Sequence, residues 1–355
     1  MRTLLLSVFA VACATPDEGP PRVDIGPATD TLRLEFIEAT GGAWLGGDRF
    51  AVVSPADNRV ALVDFDSATV ELLDGGSRSG ELEHPAAIFA LGDTLFVADW
   101  GKRRVTAWAG GRKLARVIPS SEIARGTLPQ VIDGQGRLYY ELAPPARRDG
   151  SGNRDSSAVL RAAPDGGAAD TIAQLAPLDI AEVASDQGRR FERRVFSGDD
   201  EWGVLPDGTI WVARTYQNRV DWISPDGQVV RGDQLTDRVL EVTRIDRERF
   251  VQRFPPELRN SAERLPFSPI KPPFVRAFTG ADGHVWLEKS RWVMDTIQLY
   301  HEVGRDGNLI REVRVPGWGQ ILAVSPDAAL VVTPDSTGFV VTRVPRPKSE
   351  SQKTN

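Results

Sequence analysis

The groups in this chain that could do chemistry are few and scattered. His84, His284 and His301 are its only histidines, and a catalytic zinc site commonly takes three protein ligands. Asp199-Asp200-Glu201 sets three carboxylates in a row, and carboxylate and carbonyl oxygens suit Ca²⁺. Arginines crowd two stretches, Arg147, Arg148 and Arg154 in one and Arg189, Arg190, Arg193 and Arg194 in the other. Guanidinium groups near one another can hold carboxylate or phosphate by paired hydrogen bonds. Trp100, Tyr216 and Phe254 would add flat apolar contacts. Cys13 is the single cysteine. No glycine-rich phosphate loop, nucleophile elbow or HExxH sequence occurs.

The elements that must position these groups are short strands. Apolar residues make up 41% of the 355, enough for a substantial core. They fall in short Val/Ile/Leu/Trp runs closed by Gly, Pro and Asp, with few amphipathic helical stretches, which indicates an all-β protein. The formal charge is -6, with acids and bases interleaved, so no basic stripe is available to nucleic acid. One pattern recurs: an apolar strand, a polar loop holding Asn or Arg, and a second apolar strand. It reads RFAVVSPADNRVALVDFD from Arg49, TLFVADWGKRRVTAWAGG from Thr94 and TIWVARTYQNRVDWISPDG from Thr209, and Arg59, Arg104 and Arg219 align with a Val after each. GRLYYELAPP…SSAVLRAAPDGG, GHVWLEKSRWVMDTIQLYHEVGRDG and ALVVTPDSTGFVVTRV follow the same plan with altered middle loops, giving six units.

These residues resemble NHL-type repeats, and more broadly the six-bladed propellers of the TolB-like kind, across Leu32 to Pro345. The resemblance implies an all-β six-bladed β-propeller of four-stranded antiparallel blades. In the fourth blade the strands are expected at Trp202–Leu205, Thr209–Arg214, Arg219–Ser224 and Gln228–Gly232. The last unit offers only three strands before the chain turns polar. The N-terminal segment from Leu32 to Ile37 should therefore supply the outer strand of the sixth blade, leaving residues 346–355 as a disordered tail.

The chain opens MRTLLLSVFAVACATPDEGPP, with a basic residue, an apolar run too short to span a bilayer, and small residues before Cys13. This resembles the lipobox of bacterial lipoproteins. It implies a signal peptide over residues 1–12, a diacylglycerol on Cys13, and a flexible Pro-rich tether to residue 31. The protein is then expected in the bacterial cell envelope, held to a membrane through its lipid, and Ala14 after the cysteine implies the outer membrane of a diderm cell.

In a propeller the a–b and c–d turns lie on one face, the b–c and d–a connections on the other. The first class is short throughout, with turns such as Pro206-Asp-Gly208 and Pro225-Asp-Gly227. The insertions 143–156, 176–193 and 234–273 all fall in the second, the last with a small helix between Pro256 and Pro266, between blades four and five. Loops gathered on one face of a rigid scaffold make a recognition surface, and Arg147, Arg193, Tyr216 and Phe254 are its candidate contacts. The histidines fall at a blade start, a turn and an outer strand, so no metal site is expected from them. Asn58 and Asn218 should cap their loops locally, and Arg59, Arg104 and Arg219 should tie blade to blade. The principal reading is a monomeric, non-enzymatic module without cofactor that binds a protein, peptide or glycan. The alternative resembles the calcium-dependent lactonases and gluconolactonases: a metal-dependent hydrolase or lyase with Asp199, Asp200 and Glu201 at the central channel. Four or more converging Asp, Glu, Asn or His side chains in the channel would favour the enzyme, and apolar walls the binder.

Overall fold

The structure is a computed structural model, described here for residues 20–73, 80–143, 156–185 and 188–346. Six four-stranded antiparallel sheets follow one another along the chain. Blade 4 has strands Glu201–Val204, Ile210–Arg214, Arg219–Ile223 and Val229–Arg231 from the inside outwards, within a residue or so of the expected bounds. Blade 1 runs Gly41–Trp44, Arg49–Ser54, Arg59–Asp64 and Thr69–Leu72, and blade 5 runs Phe274–Thr279, Val285–Lys289, Ile297–Val303 and Leu309–Pro316. The middle strands are buried on both faces because each blade is sandwiched between two others. Phe50, Val52, Trp108, Tyr139, Trp211, Trp286 and Tyr300 are all essentially inaccessible, and large aromatic side chains fill the wedge between diverging sheets.

The ring closes as expected. Blade 6 contributes Gln320–Val324, Ala328–Pro334 and Phe339–Pro345, and Asp30–Leu34 joins as its fourth, outer strand. The register pairs Leu32 with Val341 and Leu34 with Phe339, and Leu34 and Phe36 enter the core shared with blade 1. At the seam a Cβ on Gly42 would stand 2.8 Å from Leu322 Cβ, so only glycine lets the first and last inner strands approach this closely. Arg343 Nε donates across the same seam to Asp48 at 2.7 Å.

Several segments read as irregular carry structure. Arg22–Asp24, within the stretch assigned to the tether, adds in parallel to the outer strand of blade 5, pairing Arg22 with Glu312. The 176–193 insertion contains a hairpin of strands Ile180–Ser185 and Gly188–Arg193. The long connection holds two helices, α1 (Arg244–Gln252) and α2 (Pro256–Glu263), of which only the second is foreseen. Thr243 and Asp246 form a reciprocal capping box at the start of α1. Arg346, the first residue of the expected disordered tail, is anchored by ion pairs to Asp282 and Glu302. Among the described residues no helix is long and apolar enough to cross a membrane.

Candidate binding site on the loop-rich face

The central channel is lined by the inner strands and is mostly apolar. Its walls include Gly42, Trp44, Ala87, Phe89, Trp202, Phe278 and Leu322 around about 850 Å³. No ring of oxygen or nitrogen ligands converges there among the described residues. The one trio of potential metal ligands they contain is Asp282, His284 and Glu302, at the short-turn side of blade 5. That trio is already bridged by cations. Arg346 reaches both carboxylates, and Arg311 donates to Glu302 at 2.6 Å. Hydrogen bonds to Asp282 and then Glu302 raise His284 to about 9, so it completes a charge network as a cation. The carboxylates of this trio are therefore already compensated by basic groups of the protein itself.

The three histidines are kept apart by their surroundings. His84 sits in the left-handed region at φ 64 and donates its backbone N–H to Asn58. His301 is buried in blade 5, and burial with the charge of Lys289 depresses it to about 4.

The acidic triplet is split by strand geometry. Successive side chains entering a strand point to opposite sides. Asp200 turns into the blade and is spent there, accepting from Ala176 N at 2.9 Å, Thr215 N at 2.9 Å and Arg214 Nη1 at 2.8 Å. Asp199 and Glu201 turn the other way, into a cavity of about 340 Å³ on the loop-rich face. Its remaining wall comes from Arg193 and Phe196 behind the hairpin, Lys271 and Pro272 in the long connection, and Glu288 to Arg291 in blade 5. Gly198 makes the loop possible, since a Cβ there would lie 2.4 Å from Thr215 Cγ2 and 2.5 Å from Pro272 Cβ.

Arg193 belongs to this site. It pairs with Asp199 at 2.6 Å and donates to Ser197 Oγ at 3.2 Å. Tyr216 is exposed on the b–c loop of blade 4; burial of its hydroxyl end, with the charges of Asp179, Asp199 and Asp200, pushes its phenol up. Phe254 stands further back, packing edge-on against Phe250, which packs against Phe196. Phe196 adopts φ 64, a costly conformation for an aromatic residue that this cluster holds in place. Arg147 and Cys13 lie outside the described residues.

Glu201 is the outlier of the site. Its carboxyl makes no hydrogen bond among the described residues, and burial, with Asp199 and Glu141 nearby, raises it to about 7 against the pull of Arg276 and Arg193. Its neighbours are satisfied. Arg276 binds Glu288 at 3.0 Å, Lys271 binds Asp246 at 2.6 Å, and the buried Lys289 binds Asp237. Asp237 accepts in turn from Asn218 at 2.6 Å. Asn58 and Asn218 thus reach to the following connection rather than capping their own loops. Asn218 and Asn58 also take the left-handed φ that asparagine tolerates. Arg104 and Arg219 bind Asp99 and Asp221 within their own blades, and Arg104 also donates to Glu81 O at 2.7 Å in the connection from blade 1. No sequence signal reveals Glu288, Lys289, Ser290 or Arg291, which reach the cavity only through the docking of blade 5 on blade 4.

Large apolar side chains exposed among the described residues fall in two places. Val70, Leu72, Val117, Val229 and Val230 lie on outermost strands. The others, including Trp100, Ile123, Tyr216, Val275, Met294 and Trp318, lie on the loop-rich face.

No protein-family model matches the sequence, and no curated protein sequence is similar to it. Some solved structures superpose on it at low identity. A member of the DUF4221 family from Bacteroides vulgatus superposes with TM-score 0.49 at 8% identity, covering 90% of this chain and 97% of that one. A putative gluconolactonase gives 0.45 at 15%, covering 91% and 95%. A streptogramin B lyase gives 0.44 at 9%, covering 90% and 97%. The class is defined by the chain's own six four-stranded sheets: it is a six-bladed β-propeller.

Proposed function

We propose that this propeller is a recognition module of the bacterial cell envelope, with NHL-like blades, tethered through a lipid on Cys13. It binds a protein or peptide through its loop-rich face. The observation that carries the reading is the placement of apolar surface. Outside the outermost strands, exposed large apolar side chains occur only on that face among the described residues, where Val275 lines a cavity with a carboxyl left unpaired and Trp318 stacks on Arg291 of its wall. Apolar patches framed by polar residues mark interaction sites. The channel, where a lactonase-like centre would lie, has mostly apolar walls, with Asp207, Asp282 and Arg305 among their few charged residues.

The experiment sets the two readings against each other. Purified protein is equilibrated with Ca²⁺, Mg²⁺ or Zn²⁺ and analysed for retained metal, and intact protein is used to capture a partner from envelope extract. Negligible metal is expected. Capture should be lost in the double variant Tyr216→Asp, Trp318→Asp and retained in Asp207→Ala on the opposite face. One tightly held ion per chain, lost on Glu201→Gln, would overturn the binding reading in favour of the hydrolase.

A further inference from the structure

The chemistry of the cavity beside blade 5 narrows the ligand, and this step rests on the reading above. The charges in its wall leave a specific remainder. Arg193, Lys271 and Lys289 each already face a carboxylate, on Asp199, Asp246 and Asp237. Glu288 is taken by Arg276 and Gln320. Glu201 is left as a carboxyl without a donor, and Asp199 Oδ1 beside it has no hydrogen-bond partner. On the blade 5 side the imbalance is of the opposite kind. Ser290 Oγ and Arg291 Nη1 have no acceptor, and Arg291 is held 4.6 Å above the exposed Trp318 ring instead of against a carboxylate.

Unpartnered buried polar groups cost free energy, and here they flank one cavity of about 340 Å³ with acceptors on one side and donors on the other. A bare metal ion would use the acceptors and clash with the donors. We infer that the cavity takes the basic side chain of a peptide segment, an Arg guanidinium or Lys ammonium. Glu201 and Asp199 meet its charge, and Ser290 and Arg291 donate to the carbonyl groups of the peptide backbone. Val275 in the wall and Trp318 beneath Arg291, both exposed, offer apolar surface for the neighbouring ligand residues. The groups facing Glu201 are Asp199, Glu141, Arg276 and Arg193. With two acids and two already engaged bases around it, an incoming cation stabilises the carboxylate, so binding should expel a proton from Glu201.

The probe is the peptide acetyl-Gly-Arg-Gly-amide, titrated calorimetrically into the intact protein and compared with the same peptide carrying neutral, near-isosteric citrulline. Affinity for the arginine peptide should exceed that for the citrulline peptide by about tenfold or more, as expected for a charge-assisted contact. It should rise roughly tenfold between about pH 6 and pH 8, as Glu201 must be ionised to bind. The observed heat should vary with buffer ionisation enthalpy. Glu201→Gln should flatten the pH dependence and lower affinity about tenfold, and Asp199→Asn provides a second probe if the first variant folds poorly. Equal binding of the two peptides, affinity independent of pH, or no heat at millimolar arginine peptide would overturn the inference. So would tighter binding of glucosamine, which would assign the cavity to an amino sugar. If the peptide fails while the Tyr216/Trp318 variant still loses its partner, the recognition face stands and only the basic-side-chain assignment falls.

Discussion

Glu201 and His284 are two residues whose proton equilibria are tied to folding with opposite sign. Glu201 is raised to about 7, chiefly by burial. Below about pH 4.5 it is protonated in both folded and unfolded chains and contributes nothing. As pH rises from there the unfolded chain loses this proton first, so folding stability declines through about pH 7 and stays lower above it. Glu201→Gln should therefore raise the melting temperature at pH 8, by about 2 °C or more, and leave it unchanged near pH 4. His284, raised to about 9 by Asp282 and Glu302, contributes stability that is fully present below about 6.5 and is lost as pH rises through 9. His284→Gln should lower the melting temperature at pH 6, with the deficit shrinking towards pH 10. Melting curves of the two variants across this range check both. The sequence shows Asp199, Asp200 and Glu201 as equivalent neighbours. It hides that alternation along a strand commits the middle one to backbone and Arg214, leaving its two flanks to the cavity. Lys289 and Asp237, or Arg346 and Glu302, are separated by scores of residues, and no local pattern announces such pairs.

At the level of elements, the strand Asp30–Leu34 is a closing part of the ring rather than an ornament. Leu34 is 3% exposed, inside the core that joins blades 6 and 1. Leu34→Ala should cost about 3 kcal/mol in denaturant unfolding, as for other buried leucines; a loss below about 0.5 kcal/mol, typical of surface positions, would mean the strand is not integral. Arg346→Ala should cost about 1.5 kcal/mol, because Glu302 and Asp282 lose a charged hydrogen-bond donor while Arg311 and His284 still hold Glu302. The repeat pattern makes this architecture legible: turn residues and apolar runs locate the middle strands of the six blades and all four of blade 4, and the missing fourth strand of the last blade points to the N-terminus. Irregular connections were less legible. Helix α1 has polar residues on most of its surface, so its apolar spacing is faint, and its clear mark is the Thr243–Asp246 cap. The Ile180–Arg193 hairpin and the Arg22–Asp24 strand are short, and what fixes the latter is pairing with blade 5, a partner nearly 300 residues away.

For the molecule as a whole, the short turns and the long connections make two faces of different character, and apolar exposure follows the connections. Removing it by Tyr216→Asp and Trp318→Asp should leave the melting temperature within about 2 °C, since exposed substitutions rarely move stability by more than about 0.5 kcal/mol. Under the proposed lipid anchor, the direction of the Arg22–Asp24 strand would set which way these faces look. It runs parallel to Leu309–Pro316, and Pro21 bonds to Glu312, so the chain before it heads towards the Asp306-Gly307 turn. Cys13 is seven residues before Pro20, a reach of about 25 Å at most. A fatty anchor at that cysteine would moor the molecule by its plain underside, holding the aromatic-studded crown outward like a dish aimed away from its mounting. A protein attached in this way to vesicles should leave Trp318 open to an aqueous quencher of tryptophan fluorescence.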